Sequence, residues 1–442
     1  MDLYLVFFVF MASMVATIIK GFSMIPALFL GLVGFILVAM RRGFSFSELV
    51  KMCIDSNKNS LVVIKVMLTI GFITAAWRVS GTISIFVYYG IKIITPSLFL
   101  LITFVLCCLL SYALGTSFGV AGTVGVIFMT LARSGNVNPL VAGGVIMSGV
   151  YFGDRCSPVS SSANMVAGIT GTEIYDNVKL MMKTGLPALL ITLAVYTLLS
   201  FQNPISSVDE ELVRAFEREF SLSLWAFVPA IFMLVLPLFK FKVIRSMTVS
   251  IISAIAVACL VQKVALYEVI KICIFGYRAS GSGLASILNG GGLVSMLQIV
   301  GILLISSSYS GIFSGTQMLK QIQDKLNKAC TRMGRFGVTV ITSILMTSIF
   351  CNQTIATLMT CDLMKKPYFD LGADKSELMI DLENSVILIG CIIPWSIGCT
   401  VPLSFLGVSI SAMPYAIYMY LVPLTYFFLK GRYFRSGVRE QG

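Results

Sequence analysis

The chain has 442 residues, of which 57% are hydrophobic and only 12% are charged, and its net charge is +12 without a single histidine. Soluble domains are roughly 45–50% apolar and about 25% charged, so this composition excludes a soluble protein. The basic excess does not indicate a nucleic acid partner, because lysine and arginine collect in short connections between apolar runs. The sequence therefore predicts a polytopic membrane protein whose surroundings are the lipid bilayer.

Apolar segments recur along the whole chain and predict an all-α fold. A helix that spans the bilayer needs about 20 mostly apolar residues, and fewer where it is broken or re-entrant. The candidate segments are residues 3–19, 22–40, 60–76, 82–94, 97–113, 119–132, 138–152, 184–201, 222–239, 247–262, 293–309, 336–350, 385–401 and 411–429. Because several of them are short or interrupted, we expect roughly 11–13 transmembrane segments together with re-entrant pieces.

The distribution of positive charge predicts the orientation in the membrane. Cytoplasmic connections are enriched in lysine and arginine, and residues 41–60, 240–245, 320–335 and 430–439 have this character. We therefore expect a multi-pass protein of a bacterial-type inner (cell) membrane, with both termini in the cytoplasm. The acidic segment 202–220 is expected outside, as a loop or a surface helix. Because the N-terminus lacks the basic region of a cleaved signal, the first apolar segment is predicted to remain as a helix.

Three pairs of segments resemble each other in the same order and at nearly constant spacing. They are GFITAAWRVSGTISIF (71–86) with GILLISSSYSGIFSGT (301–316), ALGTSFGVA (113–121) with FCNQTIATL (350–358), and GDRCSPVS (153–160) with GCIIPWSI (390–397). Their offsets are 230, 237 and, from Pro158 to Pro394, 236. A basic connection precedes the first copy but follows the opening segment of the second, which predicts inverted topology. Inverted repeats with broken helices are typical of secondary transporters.

This duplication divides the chain into five predicted parts. They are N-terminal scaffold helices (1–59), a first inverted repeat (60–201), a central linker with scaffold helices (202–290), a second inverted repeat (291–429) and a cytoplasmic tail (430–442). In transporters of this design the substrate site lies near the bilayer midplane, where the broken helices meet.

The polar stretch YFGDRCSPVSSSANMVAG (151–168) interrupts the first repeat. Pro158 removes an amide donor, and Gly149 and Gly153 are expected to loosen the helix around it. Asp154 supplies a charge, and a carboxylate at this depth predicts function, with an ion pair to Arg155 as the structural alternative. Neutral oxygens suited to a hard cation or a polar solute come from Ser157, Ser160, Ser161, Ser162 and Asn164.

A second interruption, SIFCNQTIATLM (348–359), contains Asn352, Gln353 and Thr354. Its counterpart in the first repeat carries Thr116 and Ser117. Single hydroxyl and amide groups in membrane helices often serve only as contacts between helices. Matched clusters in both repeats favour a binding site instead.

A third cluster, DLENSVILIGCIIPWSIG (381–398), contains Glu383 and Asn384 ahead of a break at 394–396. Glu383 is either a proton carrier or a carboxylate favoured by the dipole of a helix N-terminus. Asp381 is interpreted as an ordinary loop charge, together with Asp370 and Asp374. Arg78 is a possible anion-binding residue, and for it a structural pairing is the alternative.

Other chemistries have little support in the sequence. NGGGLVSML (289–297) lacks a Walker lysine, so the energy is expected to come from a gradient and not from ATP. The 11 cysteines show no CxxC pattern, and no disulfide framework, metal cluster or cofactor is predicted. An enzyme or a sensor is disfavoured, because no nucleophile–base pair or signalling domain is found.

Four motifs together resemble the signature of the NhaC-type sodium/proton antiporters. They are GDRCSPVSSSAN (153–164), where that family has GD(K/R)xSPLSDTTN, and CNQTIATLM (351–359), LENS (382–385) and IIPWS (392–396). The resemblance implies Na⁺ and H⁺ as coupling ions, a homodimer and an elevator-like motion of one portion. Carried over by motif, it implies roles for Glu383 and Asn384 and a sodium site at Asp154, Ser157, Asn164, Asn352 and Thr354.

One departure from the family pattern opens an alternative. Ser161 stands where the family commonly has aspartate, and Ala163 where it has threonine. The preferred hypothesis is exchange of sodium, or another monovalent cation, for protons through Asp154 and Glu383. The alternative is an ion-coupled exchanger or symporter of a small organic anion or amino acid, held by Arg78 or Arg155.

Overall fold

The computed structural model describes residues 2–20, 22–93, 96–205, 210–239, 241–279, 284–285, 288–316 and 323–434. Within these ranges the regular secondary structure is helical, apart from one isolated bridge between Tyr277 and Gly290. The α-helices, numbered here in chain order, are α1 Asp2–Ile19, α2 Ile25–Arg41, α3 Phe46–Val79, α4 Thr82–Ile93, α5 Phe99–Leu114, α6 Ser117–Ser134, α7 Pro139–Cys156, α8 Ser161–Thr170, α9 Ile174–Gln202, α10 Glu210–Glu219, α11 Val228–Leu238, α12 Val243–Leu260, α13 Leu266–Phe275, α14 Leu297–Thr316, α15 Gln323–Met333, α16 Arg335–Phe350, α17 Gln353–Asp370, α18 Lys375–Glu383, α19 Val386–Ile389, α20 Ile397–Leu406 and α21 Ile417–Tyr433.

Helix length and composition confirm an all-α polytopic membrane protein. Among the described residues, four helical segments are long and apolar enough to cross a bilayer, namely Ser117–Ser134, Ile174–Gln202, Val243–Leu260 and Val294–Thr316. A fifth candidate is the pair Ile64–Val79 and Thr82–Gly90, which is bent by 65°. Shorter apolar helices of 10–17 residues accompany them. The count of roughly 11–13 crossings stays a prediction, since apolar helices of 10–17 residues are shorter than the about 20 residues that a single span needs.

Two of the basic segments that the sequence suggested as connections are helical. Most of residues 41–60 belongs to α3, which starts at Phe46 behind a capping box: the Ser45 hydroxyl accepts from the Glu48 amide, and the Glu48 carboxylate accepts from the Ser45 amide. The hydrogen bonds that the Ser45 amide and the Ser45 hydroxyl donate to the Glu48 carboxylate lower the pKa of Glu48. Residues 323–333 form α15. The apolar pattern marks only the hydrophobic part of a helix, whereas capping residues decide where the helix begins.

The expectation that glycines loosen α7 is wrong, because they allow close packing of an intact helix. Helix α7 runs without interruption to Cys156, and every residue from Val141 to Cys156 is buried. A Cβ atom at Gly149 would lie 2.4 Å from the Cβ of Cys107, and one at Gly153 would lie 2.1 Å from the carbonyl carbon of Ser111. These glycines therefore let α5 and α7 approach at backbone distance.

Two segments of the chain repeat the same order of helices, 236 positions apart. The first segment runs from α5 to α8, and the second segment runs from α16 to α20. Helices α5 and α16 have 16 residues each, α6 and α17 have 18 each, and α8 and α20 have 10 each. Left-handed residues end α5 and α16, at Gly115 (φ 62°) and Cys351 (φ 55°). This register agrees with the predicted duplication, while the opposite orientation of the two copies stays a prediction.

Candidate functional site

Asp154 lies in the last turn of α7, deep inside the protein, with only 4% of its surface exposed. The Ser162 hydroxyl lies 3.2 Å from both of its carboxylate oxygens, and the Ser160 hydroxyl lies 3.4 Å from one of them. The Gln353 side-chain amide donates from 3.2 Å. Asp154 is thus surrounded by neutral hydrogen-bonding groups.

The break between α7 and α8 is shaped by its serines and asparagine. Ser160 caps α8 by accepting from the Ser162 and Ala163 amides, and its hydroxyl donates to the Asp154 carbonyl at 2.6 Å. Asn164 donates to the Pro158 and Ser160 carbonyls at 2.8 and 2.7 Å. Unwound backbone in a membrane protein needs such partners. The local sequence therefore builds a turn that fixes Asp154 at its edge.

A second break, between α16 and α17, meets the first at Asp154. Asn352 caps α17 by accepting from the Thr354 and Ile355 amides, and Thr354 is exposed. Gln353, the first residue of α17, bridges the Ile387 carbonyl at 2.8 Å and the Asp154 carboxylate. One amide side chain thereby joins both breaks.

The first-segment residues Thr116 and Ser117 lie beside this crossing and do not contact Asp154 directly. Thr116 caps α6 by accepting from the Gly119 amide, and Ser117 is buried. The Gly115 backbone is in close contact with Val159 and Ser160, where a Cβ atom would come within 2.7 Å. These residues hold the break in place and are absent from the hydrogen bonds of the carboxylate.

The other sodium ligands expected from the sequence make no hydrogen bond to the Asp154 carboxylate among the described residues. The Ser157 hydroxyl donates to the Tyr112 carbonyl at 2.6 Å, so it connects the break to α5. Asn164 and Asn352 bind backbone groups, and Ser161 is exposed. The structure instead places Ser160, Ser162 and Gln353 against the carboxylate.

Arg155 points away from Asp154, so the ion pair considered between these neighbours is not formed. Its guanidinium donates to Asn384, to the Met181 carbonyl at 2.9 Å and to Thr184 at 3.2 Å, with the Tyr418 hydroxyl 3.3 Å away. Adjacent helical residues point about 100° apart, which separates the two side chains. The donors of Arg155 are engaged within the protein, and this disfavours an anion-binding role.

Glu383 is fully buried at the end of α18, and neither of its carboxylate oxygens has a hydrogen-bond partner among the described residues. It lies within electrostatic range of Arg155 and of Asp154. Its neighbour Asn384 is the acceptor for Arg155. Glu383 therefore lies near both side chains, while the hydrogen bonds of Arg155 go to Asn384 and not to Asp154.

The interpretation of Asp381 as a loop charge is wrong. Asp381 is fully buried and accepts hydrogen bonds from Tyr368 and Tyr426 and from the Lys430 ammonium. Lys430 also pairs with Glu377 at 2.8 Å, and Glu377 accepts two hydrogen bonds from Arg335. Because Lys430 is 49 positions away in sequence, the local pattern gave no sign of this pairing.

Arg78 lies at the predicted break between α3 and α4, and it contributes to a separate cavity away from the hydrogen bonds of Asp154. Gly81 has a left-handed φ of 74° in this break.

Within the described part of the chain no group of three histidine, cysteine or acidic residues could hold a metal ion together. A hard monovalent cation is served by oxygen ligands such as hydroxyl and carboxylate groups, and these are what surround Asp154.

A buried carboxylate where two broken helices meet, in a multi-pass membrane protein, is the architecture of a secondary transporter. Residues 149–429 match the Na⁺/H⁺ antiporter family, and the chain belongs to it. It is 28% identical to the Na⁺/H⁺ antiporter NhaC of Bacillus subtilis (strain 168), over 90% of each chain.

Other relatives carry different substrate names. The chain is 26% identical to the malate-2H⁺/Na⁺-lactate antiporter of Bacillus subtilis (strain 168), over 92% of this chain and 89% of the relative. It is 24% identical to the arginine/ornithine antiporter ArcD of Halobacterium salinarum, over 86% and 81%. These proteins are transporters and not enzymes. The protein is therefore a secondary antiporter, and its family implies Na⁺ and H⁺ as coupling ions.

Proposed function

We propose that the protein exchanges sodium, or another monovalent cation, for protons, and that Asp154 is the carboxylate for which the two ions compete. The observation that carries the proposal is the setting of Asp154. It is buried at the crossing of two helix breaks among neutral groups, with no cationic side chain among its hydrogen-bond partners. A carboxylate at such depth has to be paired, protonated or ion-bound, and here its own surroundings leave the last two states.

The groups around Asp154 suit both states. The hydroxyl hydrogen of Ser162 can rotate, so this group can donate to a bare carboxylate or turn its oxygen lone pairs towards a bound cation. The Ser160 hydroxyl donates to the Asp154 carbonyl, so its oxygen is left to accept. The amide of Gln353 carries both a donor and an acceptor. Exchange follows from occupancy, because a proton and a cation cannot hold the same carboxylate at once.

Glu383 supplies a second acidic group for the exchange. Its carboxylate accepts no hydrogen bond from any residue that the structure describes, and it lies within electrostatic range of Arg155 and Asp154. A change of charge at Asp154 therefore changes the electrostatic potential at Glu383, to which Arg155 also contributes. We propose that Glu383 takes up or releases a proton when the cation enters or leaves.

Reconstitution into proteoliposomes tests this function. Vesicles loaded with sodium and diluted into sodium-free buffer should acidify internally, because each departing cation admits protons. Lithium and potassium gradients define the cation range, and Glu383→Gln should reduce the pH response in every case. A pH dye that reports no change with any alkali cation would contradict the proposal.

Exchange of an organic anion or amino acid is the second candidate, and the names of two relatives favour it. One relative is a malate-2H⁺/Na⁺-lactate antiporter and another an arginine/ornithine antiporter, each similar over most of this chain. Thermal stabilisation by an amino acid or a hydroxy acid, without a comparable effect of sodium, would favour this candidate.

We also propose the homodimer and the elevator-like motion that the family resemblance implies. Cross-linking in the native membrane tests the dimer.

A further inference from the structure

A cavity of about 200 Å³ lies between α3, α6, α20 and the segment 289–296. Two guanidinium groups line it, those of Arg78 on α3 and Arg133 on α6. None of the described residues that line it is acidic. A cavity lined by two positive groups and by no acidic residue of the described chain requires a physical explanation.

Arg78 is the less satisfied of the two arginines. Only 7% of its surface is exposed, and Nη1 donates to the Thr74 carbonyl at 2.8 Å. Its Nε is buried without a hydrogen-bond partner in the described part of the chain. An unmet donor on a buried charge is costly, so this side chain lacks an acceptor that matches it.

Arg133 brings a second positive charge to the same space. One of its nitrogens donates to the Leu406 and Gly407 carbonyls, at 2.9 and 2.8 Å, at the C-terminus of α20. These bonds fix Arg133 at the cavity wall, and its other nitrogens make no hydrogen bond within the described part of the chain. Both guanidinium groups line this one cavity, so their positive charges repel each other across it. An anion between them would relieve that repulsion.

The remaining lining residues limit the kind of anion. Guanidinium forks match carboxylates in a bidentate geometry, which a spherical ion does not exploit. Hydroxyl groups of Thr130 and Ser404 offer further hydrogen bonds, whereas Met129 and Met296 offer apolar contact. With about 30 Å³ for each water, the cavity has room for about seven water-sized groups, which suits a small organic acid and excludes a nucleotide.

We propose that the cavity between Arg78 and Arg133 binds a small organic carboxylate. A neighbouring cavity of about 420 Å³ shares Ser295 and Ser404 with it and reaches Pro394 and Thr400 at the second-segment break. The carboxylate site therefore adjoins the broken helix of the second segment, while Asp154 belongs to the break of the first. The proposal does not depend on cation exchange through Asp154.

Calorimetric titration of the purified full-length protein tests the site. The probes are succinate, lactate and chloride as N-methylglucamine salts, in sodium-free buffer at a single pH. These conditions exclude sodium and any pH gradient, so the result is independent of the proposed cation exchange. We expect saturable binding of at least one carboxylate, and weaker or undetectable binding of chloride.

Substitution of Arg78 decides whether this cavity is responsible. Arg78→Met should weaken carboxylate binding at least about tenfold, and Arg78→Lys, which keeps the charge but loses the fork, should also weaken it. If Arg78→Met does not give a monodisperse protein, Arg78→Lys carries the test alone. Arg245→Met, which removes an exposed arginine outside the cavity, is the matched control and should bind as the wild type. Absence of carboxylate binding, chloride binding of equal strength, or undiminished binding in the Arg78 variants would overturn the proposal.

Discussion

The breaks of the two segments share one backbone design and differ in one side chain. In the first, Ser160 caps α8, and its hydroxyl donates to the carbonyl six residues earlier, that of Asp154. In the second, Ser396 caps α20, and its hydroxyl donates to the carbonyl of Gly390, also six residues earlier, at 2.5 Å. Both short helices end at a left-handed glycine, Gly171 or Gly407.

The comparison separates the requirements of folding from those of function. Because the same turn forms with a glycine in the second segment, the carboxylate of Asp154 is not needed to build it. A buried charge that the backbone does not require is costly to retain. The first break is therefore the one equipped for ion chemistry, and the second shows the turn without it.

Each short helix is also held by a cation of the other segment. Arg133, in the first segment, donates to the C-terminal carbonyls of α20, and Lys365, in the second, donates to the Ile169 carbonyl of α8 at 3.1 Å. Cations are favourable at helix C-termini because of the helix dipole. The two segments thus stabilise each other reciprocally at the ends of their broken helices.

The largest expected effect comes from making the first break as uncharged as the second. Asp154→Asn should reduce sodium-driven pH changes in proteoliposomes to the level of protein-free vesicles, because the variant lacks the charge for which cation and proton compete. The amide has nearly the same shape, so thermal unfolding and size-exclusion behaviour should match the wild type. Exchange at the wild-type rate would show that another group couples the ions.

A second test concerns Asp381, whose counterpart 236 positions earlier is the apolar Val145. Lys430→Met leaves the buried carboxylate without its cation and should destabilise the protein by about 3–5 kcal/mol. The double variant Asp381→Val with Lys430→Met removes both charges and should recover much of that loss. Denaturant unfolding in detergent measures both values, and a double variant no more stable than the single one would refute the explanation.

The shared capping serines should behave alike. Ser160→Ala and Ser396→Ala each remove a helix N-cap and leave a buried carbonyl without its donor, at a cost of about 1–3 kcal/mol. Both variants should lower the unfolding temperature to a similar degree. A large effect in one break and none in the other would mean that the two turns are not equivalent. Ser162→Ala is the control without a capping role, and its effect on stability should be smaller.

The smallest expected effect belongs to Gln353, whose counterpart in the first segment is Ser117. Gln353→Ser inserts that counterpart residue and removes one hydrogen bond to Asp154, worth about 1.5–3 kcal/mol for a charged acceptor and less where water or a neighbour replaces it. The apparent KM for sodium should change several-fold while exchange persists. An unchanged KM would exclude Gln353 from the ion site.

The sequence predicted the breaks better than it predicted the contacts. Proline, glycine and capping residues act locally, so the interruptions at Arg78, Asp154 and Asn352 could be located from the chain alone. The breaks at Asp154 and Asn352, which the matched order of the segments paired, come together through Gln353, whereas Arg78 lines a separate cavity. Gln353 was a candidate, and the hydrogen bond from it to Asp154 joins residues 199 positions apart.

The direction in which each side chain points, and therefore its partner, could not be predicted from the sequence. Ser157 and Arg155 lie beside Asp154 in the chain, but they are engaged with Tyr112 and Asn384, on helices distant in sequence. Asp381 resembled a loop charge because its partner Lys430 comes from α21. Such contacts depend on how helices rotate against each other, and hydrophobic patterning leaves the rotation of short helices undetermined.

The competition of sodium and protons for one carboxylate is tested most directly by measuring the apparent KM for sodium as a function of pH in proteoliposomes. Protonation of Asp154 excludes the cation, so the KM should be constant at high pH and rise as the pH falls, by up to about tenfold per pH unit for one competing proton. The maximal rate should change far less. A KM that stays constant across the same range, while the maximal rate alone falls, would contradict a shared carboxylate.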